Sequence, residues 1–92
     1  MKFEYDEMKN RANIAKHGLS FAEAAFAFAD DNRVIERDVM HSTPTETRYF
    51  LYGNTGRGVA TVRFTMRSNS IQIIGAGYWP KERTKYEQGQ VP

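Results

Sequence analysis

Apolar and polar positions follow helical spacing at the start of the chain and strand spacing through most of the rest. Phe3 and Tyr5 alternate with Lys2 and Glu4, which predicts a short opening strand. Asp6 is an N-cap for a helix over 7–17. On it Met8, Ala12 and Ala15 recur at i, i+4 and i+7 with Ile14 beside them, while Lys9, Asn10, Arg11 and Asn13 are placed outward. Gly18 suits a left-handed helix end, and Lys16 and His17 put positive charge on the last carbonyls. Ser20 then caps a second helix, with Glu23 at the capping-box position and Leu19 placed as a staple onto Ala24. Two short helices meeting at a sharp angle are expected, with Lys16 and His17 displayed at the corner.

The second helix, over 20–29, carries one apolar stripe of Phe21, Ala24, Ala25 and Phe28 and another of Ala22, Phe26 and Ala29. A helix apolar nearly all round is buried on most sides or awaits a partner, so Phe21, Phe26 and Phe28 are the candidate interface residues. Asp30-Asp31-Asn32 ends it as a polar turn. Strands are predicted over 33–39, 48–52, 59–66 and 71–76, with a loop at 40–47. A glycine-rich connection at 53–58 and a polar turn at 67–70 make the last three an antiparallel meander. Pro80 opens a terminal helix running to about residue 87. The order β-α-α-β-β-β-β-α describes an α+β fold: an antiparallel sheet of four to five strands, two N-terminal helices and a C-terminal helix, in one domain spanning 1–92.

Charge adds a division that the pattern does not show. Residues 1–47 hold six Lys/Arg against nine Asp/Glu, and residues 48–92 hold seven against two, so balances of −3 and +5 give the net +2. A basic half suits a phosphate backbone, and ordinary solubilising charge explains it as well. With no cysteine there is neither a disulfide framework nor a thiolate metal site. No apolar run follows Lys2, so neither a signal peptide nor a membrane span is expected, and the expected location is the cytoplasm.

Metal and nucleotide chemistry find little support. His17 and His41 are far apart, and the acids are scattered, so no metal site is expected. The glycines at 53, 56 and 58 lack the Lys-Ser ending of a P-loop, and Gly75-Ala76-Gly77 lacks a third spaced glycine, so no cofactor is implied. Strand alternation puts Thr61, Arg63, Thr65 and Arg67 on one face, with Arg48 opening the neighbouring strand. Gathered guanidinium groups can hold a phosphodiester and stabilise its transition state; the same row equally suits a solvated sheet face. Glu82 and Tyr86 share a face of the last helix amid Lys81, Arg83 and Lys85. Such groups could cut RNA without metal, or simply form salt bridges on the helix. Tyr78 and Trp79 could stack an unpaired base or plug the strand–helix corner.

Phe3-Glu4-Tyr5-Asp6-Glu7, then Lys9, Asn10 and Asn13, then Lys16-His17-Gly18-Leu19-Ser20-Phe21 with Glu23-Ala24, resemble the opening of the BrnT family of bacterial toxins. Arg48-Tyr49-Phe50, Phe64-Thr65 with Arg67, Ile73-Ile74 and Glu82 with Tyr86-Glu87 continue the resemblance in order. It implies a RelE-like fold and the ribonuclease toxin of a type II toxin–antitoxin pair. The implied partner is a BrnA-like ribbon-helix-helix antitoxin, through which alone operator DNA is reached, in a homodimer or a two-to-two assembly. By motif match, Lys16, His17, Arg48, Arg67, Glu82 and Tyr86 carry over as active-surface residues. Arg48 and Arg67 are expected to grip the scissile phosphate. Glu82 is expected to act as general base with His17 as its rival, and Tyr86 to orient substrate or donate a proton. Arg63, Tyr78, Trp79, Lys81, Arg83 and Lys85 join Lys16 as expected RNA contacts. The chain departs from the family in having Ile74-Gly75-Ala76-Gly77 where many members end this strand Ile-Ser-Ala-Arg. A non-catalytic RelE-like module, acting with its antitoxin as a DNA-bound repressor, is therefore the alternative.

Overall fold

The structure, a computed structural model, describes residues 1–90. Its elements are β1 (Lys2–Glu4), α1 (Glu7–His17), α2 (Phe21–Ala24) running into a 3-10 segment (Ala25–Ala29), β2 (Val34–Arg37), β3 (Arg48–Asn54), β4 (Val59–Arg67), β5 (Ser70–Gly77) and α3 (Pro80–Gln88). The five strands form one sheet in the order β1-β5-β4-β3-β2. β2 through β5 pair antiparallel as the alternation implies, and β1 joins the β5 edge in parallel, which makes the sheet mixed.

The corner at residues 16–21 forms from its caps. The Asp6 carboxylate accepts from the Met8 and Lys9 amides at 2.8 and 3.2 Å, and Gly18 closes α1 at φ 66°. The Ser20 hydroxyl accepts from the Glu23 amide at 3.0 Å. Glu23 does not complete the capping box. Its carboxylate accepts instead from Arg57 and from the Tyr78 hydroxyl, tying the corner to the β3–β4 connection.

α1 is rotated from the expected orientation. Met8 and Ile14 are 82% and 44% exposed, and Ala12 and Ala15 are exposed too. Asn10 is buried, while Asn13 and His17 are half-buried. The cause is where the helix lies. It covers the edge of β5 beyond its pairing with β1, and an open strand edge needs hydrogen-bonding groups rather than apolar ones. Asn13 supplies them: its Nδ2 donates to the Ala76 carbonyl at 2.9 Å and its Oδ1 accepts from the Ala76 amide at 3.2 Å, as a neighbouring strand would. Nδ2 also donates to the Leu19 carbonyl at 2.8 Å. The Asn10 Oδ1 accepts from the Phe21 amide at 2.8 Å, serving one of the unpaired donors at the start of α2.

The expected second helix is one α-turn followed by a 3-10 segment. Tightening toward three residues per turn places Ala24 and Ala27 directly on the sheet, both fully buried. Gly53 permits this approach, since a Cβ there would stand 2.5 Å from the Ala27 carbonyl oxygen. The core on this face joins Leu19 and Phe21 to Leu51, Val62, Phe64, Ile71, Ile73 and Ala76. Phe21 is therefore a core residue and is not offered to a partner. Phe28 is half-buried, edge-on to Phe3 and Phe64. Phe26 alone of the three faces outward, 66% exposed.

α3 crosses the opposite face of the sheet. The Tyr86 hydroxyl donates to Asp30 at 2.8 Å, and Gln90 donates to the Asn32 carbonyl at 2.7 Å. A β-bulge between β4 and β5 shapes this face. Arg63 pairs with Gly75 and Phe64 with Ile73, leaving Ile74 as an extra residue. A one-residue shift exchanges the faces of all that follows, so Gly75 and Gly77 come to lie beside Arg63 and Thr61 while Ala76 enters the core.

Candidate active surface

Trp79, the residue before α3, borders three adjoining cavities. The first, about 300 Å³, opens between α1 and β5 and is lined by Lys9, Asn13, Lys16, His17 and Arg63. A second, about 360 Å³, is framed by Phe50, Thr61, Arg63, Lys81 and Glu82. The third, about 210 Å³, includes Arg57, Tyr78 and Arg83. Lys9, Lys16, Arg57, Arg63, Lys81 and Arg83 thus surround one indole with a single lining carboxylate, Glu82.

Arg63 lines both larger cavities, and among the described residues it makes no ion pair. The bare backbone of Gly75 lies beside its guanidinium, since a Cβ at 75 would stand 3.5 Å from Nε. His17 meets the Trp79 ring edge-on, with centroids 5.1 Å apart. Glu82 has its Oε2 buried with no hydrogen-bond partner. Buried oxygens without a partner in the protein are uncommon, and an ordered water or a bound group is what satisfies them. The hydroxyl of Tyr52 is pushed well up, first by burial, then by the charge and hydrogen bond of Glu36, with Glu82 and Asp38 adding to it. Tyr52 therefore stays neutral beside Glu36. Among the described residues, no three His, Asp or Glu side chains come together as a metal-ligand group, and no helix is long and apolar enough to cross a membrane.

A family profile described as "Ribonuclease toxin, BrnT, of type II toxin-antitoxin system" matches residues 5–82. The chain belongs to the BrnT family. Membership makes it a ribonuclease toxin of the type II class with an antitoxin as its partner, and its α+β architecture agrees broadly with a RelE-like arrangement. No curated protein matches the chain individually. The matched stretch takes in α1, strands β2 to β5 and the first turn of α3, and ends at Glu82.

Within this BrnT fold the expected site residues fall into groups. Lys16, His17, Arg63, Trp79, Lys81 and Glu82 are brought together. Arg48 is a diagonal neighbour of Arg63, since Arg63 pairs with Phe50, which places it about 7–8 Å away. Arg67 lies four residues further along β4, about 13 Å from Arg63. Glu46 ties the two outer arginines together, accepting from Arg48 Nε at 3.1 Å and Arg67 Nη2 at 3.2 Å. These bonds, Arg48 first, hold its carboxyl below the usual range.

Four of the expected residues are engaged elsewhere or lie at the margin of the surface. Tyr86 donates to Asp30, a bond that pushes its hydroxyl up and straps α3 to the turn before β2. Tyr78 is held by Glu23 and Thr55, with the Arg57 guanidinium 5.4 Å over its ring, so it is not a free stacking face. Lys85 pairs with Glu36 at 3.5 Å, away from the cavities. Arg83 reaches only the third cavity and lies 4.0 Å from Glu87.

Lys9 and Asn13 line the surface as well, recurring with the expected Lys16 at i, i+4 and i+7 as a polar helical stripe. Asp38, buried at the end of β2, bonds His41 Nδ1 at 2.8 Å and leaves the other ring nitrogen free. No local signal marked that pair, because His41 stands in a loop of polar residues.

Proposed function

We propose that this toxin cleaves RNA by metal-independent transesterification on the Arg63 face, and that a BrnA-like ribbon-helix-helix antitoxin neutralises it. The observation that carries the reading is the position of Arg63 between two cavities, with His17 in one and Glu82 in the other. Arg63, with Lys16 and Lys81, holds the non-bridging oxygens of one phosphate. Glu82 takes the proton of the adjacent 2′-hydroxyl, whose oxygen attacks phosphorus. The bond to the 5′-oxygen breaks on the other side, and His17 supplies that oxygen with its proton. The products are a 2′,3′-cyclic phosphate and a 5′-hydroxyl. Cationic side chains supply the charge neutralisation that a metal ion provides in other nucleases. Arg48 and Arg67, released from Glu46, grip a neighbouring phosphate of the same strand.

The antitoxin seats on the exposed Phe26, beside a shallow apolar cavity of about 250 Å³ formed with Phe3, Ala22, Ala25 and Ala29. Operator DNA is reached only through that partner.

Purified protein incubated with end-labelled RNA in excess chelator tests the reaction. Cleavage should persist and leave cyclic or 3′-phosphate ends. Losing the Arg63 donor should slow it by on the order of a hundredfold. Glu82→Gln should abolish cleavage without loss of thermal stability, because the buried oxygen has no partner to lose. Activity that needs added magnesium, or an Arg63→Ala variant as active as the parent, refutes the mechanism.

A further inference from the structure

We infer that Trp79 is the platform for one unpaired nucleobase and that Gly77 is the residue that lets it serve. The inference rests on the cleavage reading above for its ligand, and on the packing of the indole for its content. The bulge at Ile74 turns Gly77 onto the face of Thr61 and Arg63. A Cβ at 77 would stand 2.6 Å from two indole carbons of Trp79, closer than any side chain can come. A side chain at 77 therefore requires the ring to move. The backbone of Gly77 lies outside the left-handed region, so alanine would fit the strand itself and conflict only with the indole.

The residue is also held at its backbone and by one neighbouring ring. The Trp79 carbonyl accepts from the Glu82 and Arg83 amides at 3.0 and 3.2 Å, fixing the residue at the start of α3. His17 sits edge-on to it. A half-buried indole fixed in this way, bordering every cavity of the surface, is already organised for stacking and loses little entropy on binding. Lys16 and Arg63 on one side and Lys81 on the other hold cations where the phosphates flanking a stacked base would run. A paired base already has both faces stacked and buried in its helix, so only an unpaired one has a face to give.

Trp79 is the only tryptophan, so emission of the whole protein reports on this one ring. The probe is a fully 2′-O-methylated single-stranded oligonucleotide, which offers no 2′-hydroxyl and cannot be cut, compared with the same strand annealed to its complement. Saturable quenching by the single strand, and little by the duplex, is expected. Trp79→Ala should weaken single-strand binding roughly ten- to hundredfold, read by anisotropy of a labelled strand, and Trp79→Phe should recover most of it. Gly77→Ala should shift the emission to longer wavelength and weaken binding as Trp79→Ala does. Unchanged emission on a bound single strand overturns the inference, as does equal affinity for the duplex. Quenching with no cleavage of unmodified RNA would leave the platform standing and refute the nuclease mechanism alone.

Discussion

Asn13→Ala tests how the corner carrying Lys16 and His17 is attached to the sheet. The change removes three hydrogen bonds, two to the Ala76 backbone and one to the Leu19 carbonyl. Ala76 and Leu19 are buried, so their backbone groups gain no water in exchange. At about 1 kcal/mol net for each bond, and more where a buried group is left unpaired, the loss is about 3–5 kcal/mol. A domain of this length has roughly 5–14 kcal/mol in all, so about a fifth or more of the stability goes. Taking the lower figure, the melting temperature should fall by roughly 12–24 °C. Asn13→Asp separates the donor from the acceptor role. It keeps an oxygen for the Ala76 amide but turns a carboxylate toward two carbonyls, and should be at least as damaging. Urea titration gives the free energies, and hydrogen exchange at the Ala76 amide gives the local effect. A loss below about 1 kcal/mol, or an Asn13→Asp variant milder than Asn13→Ala, would refute the view that this side chain stands in for a strand.

Phe26→Asp should leave the melting temperature of the free toxin nearly unchanged, because the ring is exposed, and should weaken the complex with its antitoxin in calorimetry. Unfolding of the free chain would return Phe26 to the core. The Glu23 carboxyl is held below its usual range by the Tyr78 hydroxyl, against a smaller cost of burial, and by Arg57. A folded-state value below the unfolded one means stability that is present above the ordinary carboxylate range and lost as pH falls through it. Melting temperature should therefore drop on acidification, and Glu23→Gln should lower the neutral plateau and flatten the acid limb. An acid limb unchanged in that variant would exclude Glu23 as a contributor.

What the sequence determined is what depends on neighbours within a turn or a pleat. The Asp6 and Ser20 caps, the left-handed Gly18, the two connections of the meander and Pro80 at the start of α3 are all where local chemistry put them. The shared face of Arg63, Thr65 and Arg67 followed from strand alternation alone, as their pairing with β3 and β5 bears out. Family membership was also legible, in the Lys-His-Gly-Leu-Ser-Phe motif and the residues after it.

The rest was decided by partners far away along the chain. Apolar spacing put Met8 and Ala12 of α1 inward, but the helix meets a strand edge, whose demand is hydrogen bonds, and Asn13 meets Ala76 across 63 residues. Tyr86 and Tyr78 looked like free chemical groups until Asp30 and Glu23, each more than 50 positions distant, took their hydroxyls. The bulge at Ile74 carries no local signature, yet it decides which face Gly75 and Gly77 occupy and so whether Arg63 and Trp79 have room. Caps and alternation are set by a few adjacent torsions, and a sequence records those directly. Which face of an element meets the core, an edge or a ligand is set by whatever packs against it, and only the folded chain supplies that.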